Sequence, residues 1–136
     1  MDELSLSVAI ENRLVALNPR GMADVQSALE PGYYLRAAQI LKDVQGTVLI
    51  GTGFPVNDTF ETDGPVGAIN LYVALETLGA EPVLVCGKPL STVLAKNYRV
   101  HEITVGQLQE SEAQAYLDQC SPSAIISIER PGLSAQ

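Results

Sequence analysis

Four short apolar runs recur along the chain, each bounded by glycine, proline or polar residues. Runs of this length predict strands, and an unbroken apolar run is typical of a strand buried on both faces of a parallel sheet. The strand prediction is weakest for the third run. The predicted strands are Thr47–Ile50, Pro82–Cys86, Val100–Val105 and Ala124–Ile128.

The segments between these runs carry apolar residues at helical spacing. Pro89 is suited to open the second of the three predicted helices, and Gly79 is suited to end the first. The helix faces are Ala68, Leu71, Leu75 and Leu78; then Leu90, Val93, Leu94 and Tyr98; then Ala113, Tyr116, Leu117 and Cys120. Alternation of strand and helix at this spacing predicts an α/β fold, with an open, mostly parallel sheet of about four strands and flanking helices.

The segment before the first strand has two interpretations. Residues 3–17 alternate like a strand, but Leu6, Ile10, Leu14 and Leu17 also share one helical face. The length of the segment favours a helix, which the residues from Asn18 to Gly21 would stop. Two further helices are predicted, at Ala23–Leu29 and from Pro31 onward.

Length and composition predict one globular α/β domain over residues 1–136, since 46% of the residues are hydrophobic and 18% are charged. The last predicted strand lies close to Gln136, with no helix to cover it. Because edge strands of such sheets are usually short or covered, we expect the N-terminal part of a larger domain, or a partner chain that completes it. That partner would be a second copy or a separate C-terminal half.

The charge balance limits the classes of binding partner that are expected. A net charge of −8, with eight scattered basic residues, disfavours nucleic acid. No apolar run approaches the ~18 residues of a membrane span. The first residues show neither a secretion signal nor an import presequence, so we expect a cytoplasmic protein with a small-molecule ligand.

The connection from Gly51 to Ala68 is the strongest candidate for a binding site. Ligands of open α/β sheets lie outside the carboxyl ends of the strands, where this connection begins. It is longer than the usual two to six residues of such loops. Gly64 and Pro65 fit the N-cap and first positions of the next helix and would leave N–H groups free. The alternative is simple capping, since acids at a helix start contribute ~0.3–1 kcal/mol without any function.

The charges of this loop indicate which ligand it would accept. A dinucleotide site is disfavoured because Gly51-Thr52-Gly53 lacks the third glycine of the motif, and no phosphate-binding GK[ST] occurs. Asp58, Glu61 and Asp63 would also repel a phosphate. The pattern suits a cationic group, either an ammonium or a divalent metal ion, and no nucleotide cofactor is expected.

Three other residues carry reactive or charged groups. Arg130 follows the fourth strand and should lie on the same sheet edge as the loop, where it could hold a carboxylate; the alternative is a surface pair with Glu129. His101 is isolated and is interpreted as structural or solvent-facing. Cys86 and Cys120 are isolated from each other, so they are interpreted as buried thiols.

Three motifs taken together resemble the D-glutamate cyclase-like domain, which occurs at the C-terminus of mitochondrial D-glutamate cyclase and alone in bacterial proteins. They are TGFP (Thr52–Pro55), ETDGPVGA (Glu61–Ala68) and IERPG (Ile128–Gly132). The resemblance implies members longer than this chain, so we expect the chain to correspond to the first part of the domain.

The resemblance implies closure of D-glutamate to 5-oxo-D-proline with loss of water. Glu61 or Asp63 would then contact the substrate ammonium, one of them as the base, and Arg130 would pair with a carboxylate. Backbone N–H groups around the loop would hold the other carboxylate. The substrate-binding positions are thus Thr52, Gly53, Thr62, Gly64, Gly67 and Arg130.

Two other classes of function stay open. One is a metal-dependent enzyme or binder that uses Asp58, Glu61 and Asp63 as oxygen ligands for Mg²⁺ or Mn²⁺. The other is a ligand-binding or assembly module without catalysis.

Overall fold

The computed structural model describes residues 1–104 and 110–130 and divides the chain into two compact units, Met1–Asp43 and Val44–Gln136. The described part of the first unit is helical, so the helical interpretation of residues 3–17 is confirmed. Its helices are α1 (Glu3–Val15), α2 (Met22–Ser27) and α3 (Tyr33–Leu41). None of the helices that the structure describes is both long and apolar enough to cross a membrane.

A buried carboxylate joins α1 to the start of α3. Glu11 is only 1% exposed. Its Oε1 accepts hydrogen bonds from Ser7 Oγ (2.6 Å) and the Tyr34 N–H (3.2 Å), and its Oε2 accepts one from the Gly32 N–H (3.0 Å). Burial alone would raise the pKa of Glu11, but these hydrogen bonds outweigh it, and the pKa lies below its ordinary value. Glu11 thus caps α3, which has no capping side chain of its own.

The second unit contains a four-stranded parallel sheet, which confirms the predicted α/β fold. Its strands are β1 (Thr47–Thr52), β4 (Glu81–Cys86), β5 (Val100–Glu102) and β6 (Ala124–Ile128). Their order across the sheet is β5-β4-β1-β6, and every neighbouring pair is parallel. The helices are α4 (Asp63–Thr77), α5 (Leu90–Leu94) and α6 (Glu110–Cys120).

The core of this unit lies between the sheet and α4. Alternate residues of a strand point to the same face, and Val48, Ile50 and Leu84 on the inner face are fully buried. Tyr72 and Leu75 of α4 are at most 4% exposed. Burial of an aliphatic side chain of this size stabilises a fold by about 1.5–3 kcal/mol. This packing holds the first turn of α4 at the carboxyl ends of β1 and β6.

The connection between β1 and α4 is more ordered than its sequence predicted. It contains an antiparallel hairpin of β2 (Pro55–Val56) and β3 (Thr59–Phe60), turned by Asn57 in the left-handed region (φ 52°). Strands of two residues are too short to show a hydrophobic period, so the pattern missed them. The Glu61 N–H donates to the Phe54 carbonyl (3.1 Å), which returns the chain to the sheet edge.

Two predicted boundaries differ from the structure. The third strand ends at Glu102, and its predicted end at Val105 lies outside the described residues. Helix α5 ends at Leu94, although its apolar spacing predicted a helix as far as Tyr98. Tyr98 instead stacks edge-on against Tyr72 of α4, so its apolar ring serves tertiary packing after the helix has ended.

Candidate functional site

The candidate site lies at the carboxyl ends of β1 and β6. Thr52 is paired with Ile128 across these strands, so the residues that follow each of them leave the sheet side by side. Arg130 Nη1 donates to the carbonyl oxygens of Thr52 (3.4 Å) and Gly53 (3.3 Å). The structure therefore brings the TGFP motif and Arg130 to one edge, as the parallel sheet predicted.

Gly51 allows Arg130 to cross β1. A Cβ at position 51 would stand 3.1 Å from Arg130 Cδ, closer than almost all real contacts of this kind. The missing side chain therefore leaves room for the stem of the arginine. Both of the arginine's hydrogen bonds are long, so its guanidinium is held loosely at the mouth of the site.

The start of α4 differs from the prediction. The helix begins at Asp63 with Thr62 as the N-cap, so the assignment of Gly64 and Pro65 to the N-cap and first positions was wrong. The reason is that the Glu61 carboxylate performs the capping, since its Oε1 accepts from the Gly64 N–H at 2.6 Å. Pro65 has no N–H to offer. The anion position at this helix end is thus occupied by the protein's own carboxylate.

Two buried acceptors in this region lack a hydrogen-bond partner among the described residues. They are Glu61 Oε2 and Thr52 Oγ1, and Thr52 is fully buried. Thr52 lies on the strand face that α4 covers, and the next residue, Gly53, lies beside Pro65 in the first turn of that helix. An unpartnered buried polar group costs about 1–3 kcal/mol, so these two atoms make this edge the candidate site for a hydrogen-bonding ligand.

The side chain of Glu129, which the sequence analysis did not assign to the candidate site, lies against the start of α4. A Cβ on Gly64 would stand 2.5 Å from Glu129 Cβ and 3.1 Å from Glu129 Cγ. The same point lies 2.9 Å from Glu61 Oε2, so the two glutamates converge beside Gly64. Among the described residues there is no ion pair between Glu129 and Arg130, so the alternative of a surface pair is not what the structure shows. The signal in the sequence was the position of Glu129 directly after a strand.

The other predicted residues do not converge on this point. Thr62 and Asp63 are exposed, and the Thr62 side chain makes no cap hydrogen bond. Gly67 faces Ile128, whose Cγ2 would lie 3.8 Å from a Cβ there. Asp58 is exposed in the hairpin turn. No three His, Cys, Asp or Glu side chains in residues 1–104 and 110–130 form a group that could hold a metal ion, so the metal alternative has no ligand set there.

The cysteines and the histidine lie outside this cluster of acceptors. Burial raises the pKa of the Cys86 thiol to about 11, although the nearby positive charge of Arg130 acts in the opposite direction. Cys120 is a half-buried free thiol, not a fully buried one as predicted. His101 stacks on Tyr116 with ring centroids 3.4 Å apart, and burial lowers its pKa. A thiol with so high a pKa is a poor nucleophile at neutral pH.

The described residues thus form an α/β domain with unpartnered acceptors at the carboxyl ends of its parallel strands. The family model described as D-glutamate cyclase-like, C-terminal, matches residues 11–136. The chain therefore belongs to the D-glutamate cyclase-like family, as its three motifs predicted. Comparison with curated proteins and with solved structures finds no significant match.

Proposed function

We propose that this protein binds D-glutamate, or a closely similar small amino acid, at the carboxyl edge of the sheet and closes it to a cyclic amide. For D-glutamate the products are 5-oxo-D-proline and water. Membership of the D-glutamate cyclase-like family supports the reaction class. The site chemistry supports a ligand that carries an ammonium group and carboxylates.

The observation that carries the proposal is the free buried oxygen of Glu61. One oxygen of this carboxylate is fixed by the Gly64 N–H, while Oε2 has no partner among the described residues. A carboxylate held in this way is oriented before the ligand arrives. It can accept a hydrogen bond from a substrate ammonium and then take one of its protons.

Arg130 supplies the complementary charge. Its guanidinium has five N–H donors, and within residues 1–104 and 110–130 it makes only the two long hydrogen bonds to Thr52 and Gly53. Because these hydrogen bonds are long and weak, the guanidinium can exchange them for a substrate carboxylate at little cost in free energy. We therefore assign the substrate α-carboxylate or side-chain carboxylate to Arg130.

The chemistry balances without a co-reactant. The amine nitrogen attacks the side-chain carboxyl carbon, a C–N bond forms and a C–O bond breaks. Two protons of the ammonium leave with the departing oxygen as water, and one stays on the amide nitrogen. Glu61 accepts a proton from the ammonium and returns it to the leaving oxygen. Well-oriented ring closure of this kind lowers the barrier by avoiding the loss of translational freedom.

The test is turnover of D-glutamate by the whole chain, with 5-oxoproline measured by chromatography and mass spectrometry. We expect Glu61→Gln to lower the rate by about 100-fold or more, as for loss of a general base. Asp63→Asn is the matched variant from the same motif. It should have a smaller effect because Asp63 is exposed at the first position of α4.

Undiminished turnover in both variants would contradict the proposed roles of these acids. D-Glutamate binding without detectable turnover in the wild-type chain would instead favour a ligand-binding module without catalysis. Stimulation by added Mg²⁺ or Mn²⁺ would favour the metal-dependent alternative.

A further inference from the structure

The backbone at Glu129 holds this residue in an unusual conformation. Its φ of 50° lies in the left-handed region, which non-glycine residues rarely adopt outside turns. Glu129 comes directly after β6, so the left-handed step turns the chain as it leaves the sheet. The side chain is thereby placed against Gly64, in the first turn of α4.

The Glu61 carboxylate and the side-chain stem of Glu129, which is an exposed residue, consequently approach the same point. Glu61 Oε2 and Glu129 Cγ are both about 3 Å from the position that a Cβ of residue 64 would occupy, at 2.9 Å and 3.1 Å. Among the described residues, no Lys or Arg forms an ion pair with either glutamate. Adjacent like charges disfavour each other, and a bound cation removes that repulsion.

A third acceptor lies at the same edge and indicates which cation fits. Thr52 is fully buried, and its Oγ1 has no hydrogen-bond partner among the described residues. A primary ammonium has three N–H donors. Glu61 Oε2, Thr52 Oγ1 and the Glu129 carboxylate would supply three acceptors for them. A bare metal ion would instead need a fuller set of oxygen ligands.

We propose that Glu129 and Glu61 form a carboxylate pair that binds the primary ammonium of the ligand, so that Glu129 sets the preference of the site for amines. The identity of the ligand rests on the proposed function, while the pair itself rests on the geometry around Gly64. Glu61 is oriented by its hydrogen bond to α4, and Glu129 is oriented by its backbone. Loss of Glu129 therefore removes amine recognition and leaves the capping of α4 intact.

The experiment compares two ligands that differ only in the amine, D-glutamate and glutarate, by calorimetry on the whole chain. The wild-type protein should prefer D-glutamate, and Glu129→Gln should reduce that preference by about tenfold or more, as for loss of a charged hydrogen bond. Its affinity for glutarate should stay the same or rise, because one negative charge is removed. Glu76→Gln, on the opposite end of α4, controls for the change in net charge. An unchanged preference in Glu129→Gln would overturn the proposal.

A second measurement separates this inference from the proposed function. If neither D-glutamate nor glutarate binds the wild-type chain, the proposed function fails, and n-butylamine then serves as the probe. Its binding is followed through the backbone amide signals of Gly64 and Glu129 by NMR. Shifts in the wild-type protein that disappear in Glu129→Gln support the carboxylate pair. An absence of shifts in the wild-type protein, or equal shifts in both, overturns it.

Discussion

Two glutamates of this chain accept hydrogen bonds from N–H groups at helix starts, but they differ in how many of their carboxylate oxygens have a partner. Glu11 in the first unit accepts three hydrogen bonds, and both of its oxygens are engaged. Glu61 in the second unit accepts one from Gly64, and its second oxygen is buried without a partner among the described residues. Burial and a position at a helix start therefore do not distinguish a fully satisfied acid from one with an unpartnered oxygen. The distinction lies in whether every oxygen is satisfied.

The difference also explains why the two acids should respond differently to substitution. A satisfied buried carboxylate contributes to folding, and its removal leaves several donors unpaired at once. A half-satisfied carboxylate lowers stability where it stands, and in the proposed function the ligand supplies its second partner. We expect variants at Glu11 to affect folding and variants at Glu61 to affect binding and turnover.

The largest effect on stability is expected for Glu11→Ala. This change removes the acceptor of the Gly32 and Tyr34 N–H groups and of Ser7 Oγ. The midpoint of thermal unfolding, followed by far-UV circular dichroism, should fall by about 5–10 °C. Glu61→Gln should leave the midpoint almost unchanged, since its amide oxygen can still accept from Gly64. Equal losses in the two variants would contradict the distinction between them.

The next prediction concerns the crowded space beside Glu61. Gly64→Ala would place a methyl group 2.5 Å from Glu129 Cβ and 2.9 Å from Glu61 Oε2. Both side chains must move, so the unfolding midpoint should fall by several degrees. Gly67→Ala is the matched change in the same helix, where the new methyl group would meet only Ile128 at an ordinary 3.8 Å. That variant should be as stable as the wild type or more so, because alanine is favoured over glycine by about 1 kcal/mol in helices.

The dependence of stability on pH provides a smaller and independent test of Glu11. The pKa of Glu11 is lowered in the folded protein. The ionised side chain therefore makes its full contribution to the free energy of unfolding above the ordinary glutamate pKa of about 4.3. The contribution is lost as the pH falls through the lowered folded value, because protonation then removes the charge that the donors stabilise. We expect the difference in stability between wild type and Glu11→Gln to narrow on acidification. Denaturant unfolding at a series of pH values measures it, and a constant difference would rule out a role for the charge.

The smallest effect should come from the buried hydroxyls. Thr52→Val replaces an unpartnered hydroxyl by a methyl group and should stabilise the protein slightly, by up to about 1 kcal/mol. Ser91→Ala is the matched case of a buried hydroxyl with a partner, since Ser91 Oγ donates to Glu102 Oε2 at 2.6 Å. That variant should be less stable than the wild type in the same urea titration. If Thr52→Val were the more damaging change, Thr52 Oγ1 would have a structural partner.

Much of the second unit could be predicted because its signals are local. The apolar runs identified all four strands of the sheet, and helical spacing identified the helices between them. The parallel arrangement in turn predicts that the end of β1 and Arg130 share one edge of the sheet. The hairpin in the connection could not be predicted in this way, since its strands have only two residues each and show no period.

The site was predicted less completely because its decisive contacts are not local. Glu61 was correctly placed near a helix start, but the prediction assigned the cap to Gly64 because a glycine followed by proline is a common helix opening. Asp63 carries the same charge as Glu61 and was an equal candidate on sequence. Only the direction of each side chain separates them, and Asp63 is exposed at the first position of α4.

The sequence by itself determined the fold class, the edge of the sheet where the candidate site lies and the family to which the chain belongs. These depend on periodicity, strand direction and short motifs, which can all be identified from residues close together in the sequence. The tertiary structure alone decided which carboxylates are satisfied and that Glu129 meets Glu61 beside Gly64. The physical reason is that hydrogen-bond satisfaction depends on distances of a few tenths of an ångström between residues far apart in the chain, which packing sets and spacing does not.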